Sequence, residues 1–463
     1  MRGTFRRMLR RCARLAALLL LAGCARGGGE PRLLLLLSVD TLRADRLGAY
    51  GSERGLTPHL DALAAESERF EAAYAPTSHT LPSVAALLTG RLPLEIGVVN
   101  NLSRLADGVP TLAGELAAQG FRTGAVVSNW VLRRDAGLDA GFAVYDDALP
   151  QQESARPVPE RIAADTTRAA LALVRECGAD TAPRCFVWVH YQDPHGPYAP
   201  PSGRERLLER ERREPDGTRQ LPVLPGPFGA GGIPSYQAVE GQHEVAFYRA
   251  GYDAEVAYLD EQIGALLDGL REAGLWERSA VVFTADHGES LGEGDLWFGH
   301  GEDLSEVLVR VPLLLRVPGR PPRSRTDVAS LVDVRRTLLA LAGVPAPDAA
   351  ERGRDLLAPG AEQTASRPLL ATLGGSAVAR YGIVDGEFKY VVEERDGAWR
   401  GRLHPRGDDA LDLSAPAPHV AARLRGELEA LLQSLPEPRA AAAQSLDEAD
   451  RARLRALGYV PAR

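Results

Sequence analysis

Residues 33–37 are five consecutive leucines, extended by Ser38 and Val39 and cut off by Asp40. An apolar run broken by one serine fits a strand covered on both faces, the environment of a parallel sheet between helical layers. That segment obliges the chain to supply further buried strands and helices to cover them. Ala125–Val127, Phe186–Val189 and Ala280–Thr284 read as such strands. Each runs straight into polar groups: Ser128 and Asn129, then His190, then Asp286, His287 and Gly288. Helical patterns lie between them, at Ala169–Glu176 and at Ala254–Glu272, where Val256, Leu259, Ile263, Leu266, Leu267 and Leu270 recur at helical spacing. Thr57 and Pro58 read as the N-cap and first position of a helix running to about Ala72. The alternation implies an α/β fold built on a doubly wound, mainly parallel sheet. Such sheets bind ligands just past the carboxyl ends of their strands. Asp40, Asn129, His190, Asp286 and His287 all fall there.

The chain of 463 residues is long enough for two or three domains. Residues 33–345 are expected to form the catalytic domain. After Pro345 short strand patterns (Tyr381–Val384, Phe388–Val392, Trp399–Leu403) and a helix (Val420–Leu435) point to a smaller α+β C-terminal unit over 346–463. Between Ser202 and Val245 the pattern dissolves into Arg-, Pro- and Gly-rich sequence, expected to be a lid, a binding loop or a mobile stretch. With 54 basic against 62 acidic residues the net charge is -8, and no basic run follows residue 14. A nucleic-acid partner is therefore not expected, because phosphate neutralisation needs a clustered basic footprint.

Residues 1–24 read as an export signal. Six arginines between Arg2 and Arg14 precede the short apolar stretch Leu15–Ala22, too short to span a bilayer, which takes about 20 residues. It ends Leu21-Ala22-Gly23-Cys24, which resembles a bacterial lipobox. The expectation is an exported protein facing the periplasm or cell exterior, held on a membrane by lipid on Cys24, with residues 25–32 as a glycine-rich tether. A plain cleaved signal peptide is the alternative. Cys12 leaves with the signal, and Cys177 and Cys185 form either a disulfide or two buried thiols.

Four ordered stretches carry a family resemblance: SVDTLRAD (38–45), TLPS (80–83) with LTGR (88–91), HYQDPHGPY (190–198) and TADHGESLG (284–292). Together they resemble the sulfatase branch of the alkaline phosphatase superfamily. The resemblance implies metal-dependent hydrolysis of sulfate or phosphate esters on a small molecule, glycan or lipid. Asp40, Asp286 and His287 offer two carboxylates and an imidazole for a divalent metal (Ca²⁺, Mg²⁺, Mn²⁺ or Zn²⁺), and an Asp at a strand end is otherwise a helix cap. The family's nucleophile position falls on Thr80, which also reaches the metal and sits at the start of a helix through Leu88, where developing negative charge is stabilised. The resemblance puts His190 and His195 beside the transferred group, and His300 lies in the Gly299-His300-Gly301 turn that follows the metal pair; each is a candidate acid to the leaving oxygen or charge donor. Asp193 with His195 is an alternative pair for a second metal.

The chain departs from sulfatases where their chemistry is most particular. Those enzymes oxidise a Cys or Ser at the nucleophile position to formylglycine, and threonine has the wrong β-carbon, so no formylglycine is expected. Val84 replaces the motif arginine, Gly294-Asp295 stands where a His-Gly is frequent, and the single lysine, Lys389, lies in the C-terminal strand pattern. Unmodified threonine is what phosphate-handling relatives use, which favours phosphoryl over sulfuryl transfer. A phosphoethanolamine-type transferase and a catalytically silent binding protein for sulfated or phosphorylated glycans are the rivals. His79, His59, His243, His404 and His419 receive no role.

Overall fold

The computed structural model describes residues 30–152, 159–178, 183–226, 228–345, 352–362, 367–372, 378–436, 442–444 and 447–456. The export signal with Cys12 and Cys24, and the glycines of the tether, lie outside them. Among the described residues no helix is long and apolar enough to cross a membrane.

Leu33–Val39 is the central strand of a nine-stranded, mainly parallel sheet, and all seven of its residues are buried. It pairs in parallel with Ser279–Ala285 on one side and Cys185–Tyr191 on the other. Beyond Cys185–Tyr191 come Arg122–Val127 and Val144–Asp146, both parallel. Beyond Ser279–Ala285 come Leu313–Arg316, antiparallel, then Glu68–Tyr74, with Arg323–Ser330 on its far edge. The register sets Val39 level with both Ala285 and Tyr191, and Val127 level with His190. Asp40, Asp286 and Asn129 therefore emerge in one row, with His190 one pleat below. Pro58–Ala65, Ala163–Gly178 and Val245–Glu272 form one helical layer. Thr80–Thr89, Leu112–Ala118 and Val332–Leu341 form another.

Two expectations need correction. The helix opened by Pro58 ends at Ala65, and Glu68–Tyr74 is a strand. Burial at Glu68, Phe70 and Ala72 follows the period of two, and the carboxylate of Glu68 is met by Arg320, Arg323 and Arg325. Thr57 does not cap through its side chain. Asp260 of the long helix takes the N–H groups of His59 and Leu60 instead, at 3.0 and 2.8 Å. The stretch 202–245 is also more ordered than its composition implies: it holds the helix Arg204–Glu211 and the paired strands Val223–Leu224 and Ile233–Pro234.

Near the C-terminus, Arg367–Thr372, Val378–Val384, Phe388–Arg395 and Ala398–Pro405 form a smaller antiparallel sheet. Helix Pro418–Ser434 covers it, packing Leu424 and Leu428 against Ile383, Tyr390, Val392 and Leu403. Cys177 and Cys185 are bridged, with Cα atoms 6.0 Å apart. The bond ties the end of helix Ala163–Gly178 to the start of the strand that carries His190.

Candidate active site

The row of strand ends gathers five of the expected residues. Thr80 Oγ1 lies 3.3 Å from His287 Nε2, which is 3.9 Å from Asp40 Oδ1 and 3.6 Å from Asp286 Oδ2. His190 Nε2 lies 3.9 Å from Asp40 Oδ2. All five side chains are fully buried. Thr80 opens the helix Thr80–Thr89, and Asn101 Oδ1 accepts from the next amide, Leu81 N–H, at 2.9 Å. Asp286 Oδ1 accepts from Thr41 N–H and His287 N–H, at 3.2 and 2.7 Å, while Asn129 donates to Asp40 Oδ2.

Hydrogen bonding decides which nitrogens face this space. His287 Nδ1 lies 2.9 Å from the Gly288 carbonyl, and His195 Nδ1 lies 2.7 Å from the Gly196 carbonyl. A carbonyl only accepts, so both rings carry the proton on Nδ1 and Nε2 is the acceptor nitrogen. The Trp188 indole donates to Ser38 Oγ at 2.9 Å, leaving the Ser38 hydroxyl to donate to His190 Nδ1 at 2.9 Å and placing the His190 proton on Nε2. Burial lowers the pKa of His195 to about 4 and that of His300 to about 3, so both are neutral bases at physiological pH. Burial, then the neighbouring Asp40, push Asp286 up. Burial opposes ionisation of Asp40 as well, but the imidazoles of His195, His190 and His287 around it outweigh burial and hold Asp40 down.

This donor set fits a divalent cation. Asp40, Asp286 and His287 each offer a ligand atom within 4.8 Å of the others. Among the described residues, Asp40 Oδ1 and Asp286 Oδ2 are buried without a hydrogen-bond partner. Two buried carboxylates with orphaned oxygens, facing an imidazole lone pair and a hydroxyl, are acceptors without a donor, and a cation supplies what they lack.

The sulfatase family profile matches residues 32–344, well over half the sequence. The chain belongs to the sulfatase family. It is 27% identical to human arylsulfatase A (Homo sapiens) over 474 residues, covering 90% of this chain and 84% of that one. It is 25% identical to the choline-sulfatase of Rhizobium meliloti (strain 1021) over 424 residues, covering 78% of each. Its fold is similar to that of the putative sulfatase yidJ from Bacteroides fragilis, with a TM-score of 0.69 at 20% identity, covering 88% of this chain and 97% of that one. It is also similar to that of a phosphonate monoester hydrolase of Agrobacterium radiobacter, with a TM-score of 0.63 at 22% identity, covering 87% and 95%. The chain is thus an ester hydrolase with a sulfatase fold, in a family that generally uses a divalent metal.

Against the sulfatase pattern, the departures take physical form. Val84 is fully buried in the core beside the site. Lys389 lies away from the site: its Nζ donates to the Leu304 carbonyl at 3.0 Å and pairs with Glu306 and Asp409. Gly294, where the extra histidine is frequent, takes a left-handed backbone (φ 64°), and the next residue, Asp295, accepts from Trp297 Nε1 at 2.8 Å and pairs with Arg219. Asp193 lies close enough to buried Glu255 to raise the pKa of that carboxyl, and among the described residues its own Oδ2 is buried without a hydrogen-bond partner. His79, given no role from sequence, packs beside Gly301 in the field of His300 and His287. Tyr236 and Gln237 of the 202–245 stretch also reach the site. Gln237 lies so close over Gly196 that a Cβ there would sit 1.7 Å from its Oε1, so a larger residue at 196 would push the Gln237 amide out of place. Neither Asn101 nor Gln237 sits in a motif, and no periodic signal pointed to them. Glu289 was visible within TADHGESLG but carries no obvious ligand role.

Proposed function

We propose that the chain is an exported, metal-assisted hydrolase of phosphate esters with Thr80 as nucleophile. The observation that carries this reading is the position of Thr80 Oγ1. It stands at a helix N-terminus, 3.3 Å from a bare imidazole nitrogen and beside two buried carboxylates with orphaned oxygens. A divalent ion held by Asp40, Asp286, His287 and Thr80 would lower the pKa of the hydroxyl and neutralise charge on the ester oxygens.

Thr80 Oγ1 attacks phosphorus, forming an Oγ1–P bond as the bond to the leaving oxygen breaks. His300 takes the hydroxyl proton and hands it to the leaving oxygen. His190 donates from Nε2 to a nonbridging oxygen, and His195 is a second proton acceptor beside Asp40. Water then attacks phosphorus through the same imidazole and the Oγ1–P bond breaks, restoring the threonine. Threonine supports phosphoryl transfer over sulfuryl transfer because it cannot become formylglycine, and the one lysine of the chain is engaged elsewhere. That phosphonate monoester hydrolases share the fold accords with this reading. The substrate class is a phosphorylated or sulfated small molecule, glycan or lipid, met at a membrane through lipid on Cys24. Cys24→Ser is expected to move the protein from the detergent phase to the soluble fraction, and unchanged partitioning would sink the anchor.

The test is a paired assay of a phosphodiester, a phosphomonoester and an aryl sulfate with wild type and Thr80→Ala. The phosphodiester should turn over fastest, and the variant should lose a few orders of magnitude, as losses of covalent nucleophiles do. Efficient aryl sulfate hydrolysis that survives Thr80→Ala overturns both the nucleophile and the preference for phosphate.

A further inference from the structure

The reaction above leaves one fully buried acid unused. The Glu289 side chain is 0% exposed. Its Oε1 lies 3.1 Å from His300 Nδ1, and its Oε2 lies 3.0 Å from the Tyr198 hydroxyl, with Gln237 Nε2 at 3.5 Å. Gln237 Nε2 also lies 3.3 Å from the Tyr198 oxygen. Arg43 Nη1 donates to the Glu289 backbone carbonyl at 3.2 Å and pairs with Asp45 and Glu293, which pins the loop. The four residues of this hydrogen-bonded chain come from four separate places: the HYQDPHGPY stretch, the 202–245 stretch, the loop after strand Ser279–Ala285, and the turn at Gly299–Gly301. A carboxylate in such an interior is costly unless its oxygens are met, and here both are.

Burial pushes the Glu289 carboxyl up to about 7, and the donors around it set the pattern: Tyr198 and Gln237 are turned to Oε2, which leaves Oε1 to accept from His300 and places the ring proton on Nδ1. Nε2, on the opposite flank of the ring, then carries the lone pair. The His300 ring packs 4.6 Å from that of His287 and 5.3 Å from that of His195, centroid to centroid, which sets it inside the catalytic cluster. Its side chain is 8% exposed, so water has little room to replace Glu289 as acceptor.

We propose that Glu289 is the positioning residue of the proton-carrying imidazole: it fixes the Nδ1–H tautomer and the ring plane of His300, and Tyr198 and Gln237 fix Glu289. The logic is that of any acid placed behind a catalytic imidazole to hold one tautomer. The proposal rests on His300 carrying the proton, and the test separates the two claims.

Full-length protein labelled with ¹⁵N-histidine and loaded with Mg²⁺ gives the tautomer directly from long-range ¹H–¹⁵N correlations, with His300→Asn assigning the signals. Wild type should show protonated Nδ1. Glu289→Gln, whose amide oxygen still accepts, should keep it, and Glu289→Leu should lose it. Kinetics supply the second readout. On a phosphodiester with an alkyl leaving group, Glu289→Leu should lower kcat about 100-fold with little change in KM, and Glu289→Gln should restore most of the rate. A nitrophenolate leaving group, which needs no proton, should shrink the loss. Should Glu289→Leu fail to fold, Tyr198→Phe removes the donor to Oε2 and should move tautomer and kcat in the same direction by less. An Nδ1 without a proton in wild type, or a tautomer unmoved by Glu289→Leu, overturns the proposal. If the tautomer responds while His300→Asn leaves kcat intact, His300 is not the proton carrier, and the functional reading of that histidine falls instead.

Discussion

At the scale of single residues, the site is defined by what its polar atoms lack. Among the described residues the oxygens of Asp40 and Asp286 that face His287 have no donor, and the Thr80 hydroxyl stands 3.3 Å from that imidazole. Asp286→Asn removes half of the carboxylate charge that faces the ion. It should cut bound metal, measured by elemental analysis, well below one per chain and abolish activity, while the circular dichroism stays that of wild type. Stoichiometric metal in that variant would refute the ligand set. Thr80→Ser keeps an attacking hydroxyl at the same helix terminus and should retain much of the activity, in contrast to Thr80→Ala. A serine variant as dead as the alanine one would mean that the branched side chain, rather than its oxygen, is what the site requires.

At the scale of elements, the strands were legible because burial on both faces leaves a continuous apolar run, and the residues that end such runs are the ones a parallel sheet exposes to ligand. Leu33–Val39 and its two parallel neighbours therefore place Asp40, His190, Asp286 and His287 at the carboxyl end of the sheet from sequence alone. Glu68–Tyr74 was misread because its sequence, Glu-Arg-Phe-Glu-Ala-Ala-Tyr, mixes charges into a strand whose Glu68 is neutralised by arginines from far along the chain. Asn101 and Gln237 were illegible for the same reason: their roles arise from tertiary approach, without a local pattern. The Cys177–Cys185 bridge closes a short loop between helix and strand, and replacing both cysteines by serine should cost about 2–3 kcal/mol in denaturant unfolding. No loss of stability would show the bridge to be idle. Asp193, past the end of the strand carrying His190, makes a different prediction. Burial raises its pKa from 3.8 to about 6. The folded state thus binds the proton more tightly, so its contribution is fully present below pH 4 and is lost as pH rises through 6. Asp193→Asn should therefore gain stability relative to wild type between pH 5 and 8, by at most about 3 kcal/mol. Parallel stability curves for the two proteins would exclude a shifted Asp193.

At the scale of the molecule, the sulfatase fold is kept while Thr80 and Val84 stand at two motif positions and the single lysine lies in the C-terminal sheet. Lys389 joins the smaller C-terminal sheet to Leu304 and Glu306, a few residues beyond His300 in the chain, and its side chain is 1% exposed. Lys389→Met leaves Glu306 and Asp409 without their cation and should cost about 3–5 kcal/mol of stability, as removal of one partner from a buried ion pair does. The activity of the remaining folded protein should fall less than in Thr80→Ala, since Lys389 touches no reacting group. The central claim, that this member of the family transfers phosphoryl groups through an unmodified threonine, is tested most directly by mass. Metal-loaded protein is mixed with a phosphodiester, quenched in acid within the first turnovers and digested, and the peptide spanning Thr80 is weighed. The account predicts unmodified threonine before substrate and a phosphoryl adduct on Thr80 after the quench. An adduct on another residue, or hydrolysis in a burst with no adduct at all, would contradict it.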